Sequence, residues 1–209
     1  MKGKTVLITG ADGDIGRNTV HGIALKGARI VMACLDAQRA EPVRDEIIRQ
    51  TNNNDIEIMQ LDLASQTDIR RFAAEFAARY DRLHVLINNA GVFSLKRLET
   101  EDGLEKTIGI NYFGHYLLTT LLLPVIKRAG NARIINVSSD SYKQATFDPD
   151  NLQTRGNYKT GMEAYSLSKL AIVLFTQELA GQLQGRRDAL GAGGRRQRDG
   201  GVWDRLPSG

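Results

Sequence analysis

The sequence predicts an α/β protein built on a doubly wound parallel sheet. Three observations carry this. Short β-rich runs alternate with longer helical patterns through the first 184 residues, most of those runs are apolar without interruption, and a glycine-rich turn joins the first strand to the first helix. Uninterrupted apolar strands are the mark of a sheet covered on both faces. Strands are expected at Thr5–Thr9, Arg29–Cys34, Glu57–Leu61, Val85–Asn88 and Arg133–Ser138. Helices are expected at Ile15–Lys26, Ala37–Gln50, Gln66–Tyr80, Asp102–Lys127 and Gly161–Leu183, joined to the strands by right-handed crossovers.

Each strand ends on residues that suit chemistry. The first runs into Thr9-Gly10-Ala11-Asp12-Gly13-Asp14-Ile15-Gly16 and then a helix. Glycines at such a junction let backbone N–H groups and the helix dipole meet a pyrophosphate, although a tight turn alone also favours them. The second strand closes on Ala33-Cys34-Leu35-Asp36. An acid at that place can hold a ribose 2′-hydroxyl, and an aspartate there can equally cap the next helix. Asp62-Leu63 follows the third strand and Asn88-Asn89-Ala90-Gly91 closes the fourth, both compatible with plain turns. The next helix carries Asn111 and the apolar run Leu117–Ile126, which reads as core. The fifth strand ends Asn136-Val137-Ser138-Ser139, and residues 140–160 form a long polar loop of the kind that often covers a substrate. The last helix opens on Tyr165-Ser166-Leu167-Ser168-Lys169. Tyrosine and lysine four apart share a helix face, where an ammonium stabilises a phenolate and suits it to acid–base work. An exposed face with a packed tyrosine gives the same spacing.

In this order on these elements, the blocks resemble the short-chain dehydrogenase/reductase family, particularly its retinol dehydrogenase-like branch, over residues 3–184. The resemblance implies a Rossmann-type fold and a nicotinamide cofactor, NAD or NADP. Gly10, Asp12, Ile15 and Gly16 would cradle its pyrophosphate. Leu35 and Asp36 would meet the adenosine ribose, and Asp62 and Leu63 the adenine. Asn89, Ala90 and Gly91 would pack against it, and Tyr165 and Lys169 would complete the site. In catalysis Tyr165 would exchange the proton on oxygen and Ser139 would orient that oxygen, with Ser138 as the alternative. Lys169 would support the tyrosine and hold the nicotinamide ribose, and Asn111 would hold a relay water. The implied substrate is a lipophilic alcohol or carbonyl, such as a retinoid, steroid or aldehyde, and the apolar run of the Asn111 helix implies a homodimer.

Four departures from the family pattern matter. Asp14 stands where the family has its middle turn glycine. A carboxylate about 5 Å from a phosphate charge costs about 3 kcal/mol at an effective dielectric of 20. Gly13 is expected to supply the flexibility the turn then lacks. Leu35 replaces the arginine that marks NADP, and Cys34 replaces the acid that marks NAD. With no cation placed for a 2′-phosphate, the balance tips slightly to NAD. The fourth is at the far end: nothing after residue 184 matches the family's sixth strand or its Pro-Gly segment, so the usual last strands are expected to be missing. A catalytically impaired dinucleotide-binding remnant is therefore the competing reading.

Composition bounds the rest. Of 209 residues 42% are hydrophobic and 25% charged, as in an ordinary globular protein. The net charge of +4 sits mostly in residues 185–209, which hold six arginines against three aspartates. The near-neutral remainder argues against nucleic acid as partner. Leu117–Ile126 is half the length of a membrane span, so none is expected. One cysteine and an N-terminus without signal-peptide anatomy imply the cytoplasm, and the scattered His21, His84 and His115 imply no metal. The Gly/Arg-rich segment from Gly185 is expected to be disordered, and its abrupt composition to reflect an out-of-frame or misassembled message.

Overall fold

The computed structural model describes residues 1–191 except Asn157 and Lys159. Its elements in chain order are β1 (Thr5–Thr9), α1 (Asp14–Ala24), β2 (Arg29–Cys34), α2 (Ala37–Thr51), β3 (Ile56–Gln60), α3 (Gln66–Arg79), β4 (Val85–Asn88), α4 (Lys106–Arg128), β5 (Arg133–Asn136) and α5 (Met162–Gly191). Every expected strand and helix is present, most ends displaced by no more than four residues and the last helix running eight residues further.

The chain divides into two units, Met1–Phe175 and Thr176–Gly209. In the first, the strands form one parallel sheet in the order β3-β2-β1-β4-β5. The order reverses at β1, which pairs with β2 through Leu7↔Val31 and with β4 through Leu7↔Leu86. Alternation along β1 feeds two cores. Val6 and Ile8 join Val20 and Ala24 of α1 on one face, while Leu7 joins Phe72 and Phe76 of α3 and Leu118 and Leu122 of α4 on the other. Both faces of β1 are therefore dry, as its unbroken apolar run requires. In the second unit the helix continues to Gly191, past Leu183, with Gln182 Nε2 donating to Glu178 Oε1 at 2.9 Å. Arg186, Arg187, Ala189 and Leu190 are good helix formers, so glycine density rises only from Gly191 onward. The remainder of the Gly/Arg-rich segment lies outside the described residues.

Helix α4 departs from simple α geometry. It is α-helical at Lys106–Ile108, π-helical over Gly109–Gly114 and α-helical again at His115–Arg128. At 23 residues and a mean hydropathy of 1.2, it is long and apolar enough to cross a membrane by length and composition. The apolar run Leu117–Ile126 covers less than half of it. Its buried Asn111, His115 and Thr119 and its packing against α3 make it a core helix here.

Candidate active site

Parallel strands deliver their C-terminal ends to one edge, and a cleft forms where the strand order reverses. A cavity of about 410 Å³ lies there. Its walls are Thr9 at the end of β1, Gly10 and residues 12–16 after it, Ala33 and Leu35 at the end of β2, Leu61–Leu63 after β3 and Asn89–Val92 after β4.

The glycine turn is built for close approach at two positions. Gly10 has φ +59°, and a Cβ there would lie 2.9 Å from Ala90 Cα. A Cβ on Gly16 would lie 2.1 Å from the Gly10 carbonyl oxygen. Gly13 behaves differently from expectation. With φ −73° and ψ 169° it is ordinary extended backbone, and it caps α1 without a side-chain bond. The turn needs no special flexibility there, because the left-handed step is made at Gly10. Asp14 lines the cavity mouth, but its side chain is 93% exposed and paired with Arg17 at 3.4 Å. In water the same charge separation of about 5 Å costs only about 0.8 kcal/mol. The first-turn N–H groups of α1 thus open on a cleft where the Asp14 carboxylate is exposed to water, which fits a pyrophosphate.

At the end of β2 the two candidate residues separate. Leu35 lines the cavity and is exposed, whereas Asp36 lies off its wall. The Asp36 carboxylate accepts from Arg39 N at 3.1 Å as the N-cap of α2, the capping role its sequence position also allowed. Asp12 lines the cavity instead. Burial first, and then the neighbouring Asp12 carboxylate, push the Cys34 thiol up to about 12. Asp62 and Leu63 line the cavity as expected, although one Asp62 carboxylate oxygen is held by Ala64 N at 2.8 Å. Asn89 donates to the carbonyls of Thr9 and Gly10 at 2.9 and 3.1 Å, tying the ends of β1 and β4 together.

A second cavity of about 460 Å³ shares Ile15, Asn89, Gly91 and Val92 with the first and adds Phe93, Val137, Ser138, Met162, Tyr165 and Lys169. Lys169 is buried, and its ammonium donates to Val137 O at 3.2 Å and sits 5.5 Å from the Tyr165 ring centre. Burial holds its pKa below the ordinary lysine value. Phe93 meets the Tyr165 ring edge-on at 5.7 Å. Gly91 sits beside Lys169 Nζ and Asn111 Oδ1, where a Cβ would make only ordinary contacts at 3.4 and 3.6 Å.

The two serines are divided. Ser138 lines the cavity but donates its proton to the Lys169 carbonyl at 3.0 Å. Ser139 is not on the cavity wall. Its Oγ caps the 3₁₀ turn Asp140–Gln144, accepting from Ser141 N at 3.3 Å and Ser141 Oγ at 3.1 Å. Asn111 is likewise more occupied than expected. Its side chain accepts from Val92 N at 2.8 Å and donates to Val92 O and Ser168 Oγ, each at 3.0 Å. The long loop is fastened at the cavity rim by Tyr158, whose hydroxyl donates to Ser94 O at 2.9 Å. Among the described residues no three His, Cys, Asp or Glu side chains converge on a metal position.

Residues 4–187 match the family model described as short chain dehydrogenase. The chain belongs to this short-chain dehydrogenase family. It is 45% identical over 185 residues to Retinol dehydrogenase 11 of Homo sapiens and 43% identical to Retinol dehydrogenase 13 of Homo sapiens. Those alignments take in 88% of this chain but 58% and 56% of the relatives, so the chain spans a little over half their length. Among solved structures, an uncharacterised protein from Mycobacterium Paratuberculosis superposes with a TM-score of 0.78 at 35% identity, covering 88% of this chain and 64% of that one. An RhlG/NADP active-site complex from Pseudomonas aeruginosa superposes at 0.71 with 27% identity, covering 88% and 69%. A metagenomic short-chain oxidoreductase in complex with NADP superposes at 0.73 with 26% identity, covering 88% and 77%.

Sequence reasoning passed over His115. It is 1% exposed and both its ring nitrogens are engaged, Nε2 with Thr9 Oγ1 and Nδ1 with Asn111 O, each at 2.9 Å. Its position four residues after Asn111 was the available signal, because that spacing puts the two on one helix face.

Proposed function

We propose that this short-chain dehydrogenase is an oxidoreductase that interconverts a lipophilic alcohol and its carbonyl with a nicotinamide dinucleotide. One observation carries the reading: Tyr165 and Lys169 line a cavity that shares its wall with the glycine-turn cleft. Gly10, Gly16 and the α1 N-terminus would hold the pyrophosphate, Asp12 and Leu35 would face the adenosine ribose, and Asp62 and Leu63 the adenine. When bound, the nicotinamide supplies or accepts the hydride.

The chain's own residues handle the oxygen and its proton. Tyr165 delivers a proton to the carbonyl oxygen in reduction and takes it back in oxidation. The Lys169 ammonium stabilises the phenolate that results, and it would also hold the nicotinamide ribose. Ser139 is preferred over Ser138 as the group orienting the substrate oxygen. Its oxygen accepts from Ser141 and leaves its own proton to donate, whereas the Ser138 proton is spent on the Lys169 carbonyl. Asn111 holds the Val92 strand end against Ser168, so its contribution is to fix the wall. Phe93 and Met162 are 46% and 41% exposed on the cavity side and favour an apolar substrate such as retinal or a long-chain aldehyde. Asp12 beside Cys34, with Leu35 in place of a cation, supports NAD over NADP.

A dinucleotide-binding protein without turnover is the second reading, favoured by the position of Ser139 off the cavity wall. Titration with NADH and NADPH, followed by their emission, and turnover of nonanal and retinal separate the two. The oxidoreductase reading expects saturable binding and turnover, with Tyr165→Phe binding normally and losing turnover at least a hundredfold. Binding without turnover supports the second reading, and no binding by the folded chain refutes both.

A further inference from the structure

Helix α4 buries a histidine that the mechanism above does not use, in a position where hydrogen-bond bookkeeping fixes its protonation. Thr9 Oγ1 accepts from Asn89 N at 2.9 Å and from Ala90 N at 3.0 Å. A hydroxyl has two acceptor positions and one proton, so the remaining Thr9 bond, to His115, must be a donation. His115 Nε2 is therefore an acceptor and carries no proton. The ring proton sits on Nδ1 and is donated to Asn111 O.

The π-helical turn brings that carbonyl and the ring together. In an α-helix the His115 backbone N–H would bond to Asn111 O, four residues earlier. Here it turns to Tyr112 O instead, and the ring Nδ1–H of the same residue reaches the Asn111 carbonyl. A π-turn widens a helix locally and is often kept where a site needs a displaced group. The displaced group is Asn111, and bonds continue from it. Asn111 Nδ2 donates to Ser168 Oγ at 3.0 Å, and Ser168 Oγ donates to the backbone carbonyl of Tyr165 at 2.7 Å. One file of hydrogen bonds thus runs from Asn89 and Ala90 in the dinucleotide cleft to the first turn of the helix bearing Tyr165, and His115 is its central link.

We infer that His115 is a positioning residue, a neutral imidazole protonated on Nδ1 that sets the wall bearing Asn111 and Tyr165 at a fixed place relative to the dinucleotide cleft. This rests on the oxidoreductase reading proposed above. The two ends of the ring have separate duties. Nε2 steadies Thr9 and through it the Asn89-Ala90 backbone that lines the cleft, so its loss falls on dinucleotide affinity. Nδ1–H steadies Asn111 and through it Ser168 and the Tyr165 helix, so its loss falls on turnover.

Two side chains divide these duties. His115→Asn places an amide N–H near Nδ1 and leaves Thr9 without its acceptor, whereas His115→Gln reaches the Nε2 position with an acceptor oxygen and abandons Asn111. The full-length chain and both variants would be titrated with NADH and assayed with nonanal, with melting temperatures measured alongside. The expected result is a split. His115→Asn raises the NADH dissociation constant about tenfold with kcat little changed, and His115→Gln lowers kcat about tenfold with NADH affinity little changed, the scale of one lost buried hydrogen bond. Long-range ¹H–¹⁵N spectra of the parent chain should show the Nδ1–H tautomer. An Nε2–H tautomer overturns the inference. So do variants that alter affinity and kcat together in proportion to their melting temperatures, or that alter neither, and in those cases the oxidoreductase reading survives because the parent chain binds and turns over. A folded parent chain that binds no NADH while showing the Nδ1–H tautomer removes the oxidoreductase reading, and the positioning role falls with it.

Discussion

Acidification should destabilise this protein through His115, and the amount follows from its surroundings. Complete burial is the largest influence on the ring and pushes its pKa down to about 4; the Asn111 carbonyl pulls the other way, and the Lys169 ammonium adds to the fall. In the unfolded chain the value returns to about 6.5. Between those values the unfolded state binds a proton that the folded state refuses. The stabilisation is therefore whole above pH 6.5 and is lost as pH falls toward 4, where the folded state accepts the proton as well. The difference is worth about 3 kcal/mol, a large part of a typical domain's stability. His84 changes in the same direction, chiefly through burial and then the charges of Lys4 and Arg82, and its Nδ1 already accepts from Thr5 N at 3.0 Å. Arg71 lowers the Asp68 carboxyl against the effect of its burial, so Asp68 acts only below about pH 3.8. Comparing the parent chain with His115→Gln cancels both. Urea unfolding at pH 7.5, 6.0, 5.0 and 4.5, followed by far-ultraviolet circular dichroism, is the assay, because the single tryptophan, Trp203, lies outside the described residues. The parent should lose about 2.5 kcal/mol more than the variant across that range. Parallel curves would refute the argument that His115 is held neutral.

Three further outcomes are expected at the cleft. Asp14→Gly should tighten NADH binding by no more than about fourfold at low salt and leave it unchanged at high salt, because the carboxylate is exposed and already paired; a gain of a hundredfold would mean that it faces the phosphate. Gly16→Ala should abolish dinucleotide binding and lower the urea midpoint, since its Cβ would stand 2.1 Å from Gly10 O and only backbone could yield; unchanged binding in a titration would contradict the packing described for the turn. Leu35→Arg should improve NADPH affinity about tenfold while leaving NADH affinity nearly alone, read from parallel titrations, and equal gains for both nucleotides would show that position 35 does not face the 2′ group.

The elements that place the site were legible because a parallel sheet turns sequence order into spatial order. Four motifs that each close a strand must meet at one edge once the strands are parallel, and Gly10, Leu35, Leu63 and Asn89 do meet there. What stayed hidden was the direction in which short polar side chains point. Ser138 and Ser139 follow the same strand, and only the 3₁₀ turn after them decides which hydroxyl keeps a proton to give. Asp36 carries both a ribose reading and a capping reading in sequence, and the start of α2 at Ala37 settles its carboxylate on Arg39 N. Gly13 looked like the flexible substitute for a lost glycine, yet the left-handed step falls at Gly10.

His115 shows why a polar residue on an apolar helix merits a partner search before it is dismissed. Apolar periodicity gives α4 its place against α3 and the sheet, and that burial would be satisfied by leucine at position 115 as well. Burying an imidazole and an amide in the same helix costs free energy unless each polar atom is bonded. Here both ring nitrogens of His115 and both side-chain atoms of Asn111 have partners; one is the Asn111 carbonyl on α4 itself, and the others sit on different pieces of the site: Thr9 at the end of β1, Val92 after β4 and Ser168 on α5. Leucine at position 115 would keep the packing and release Thr9 from α4 and the Asn111 carbonyl from the ring, leaving Asn111 on Val92 and Ser168. The core of this fold needs an apolar helix at this place, but only the site needs this one.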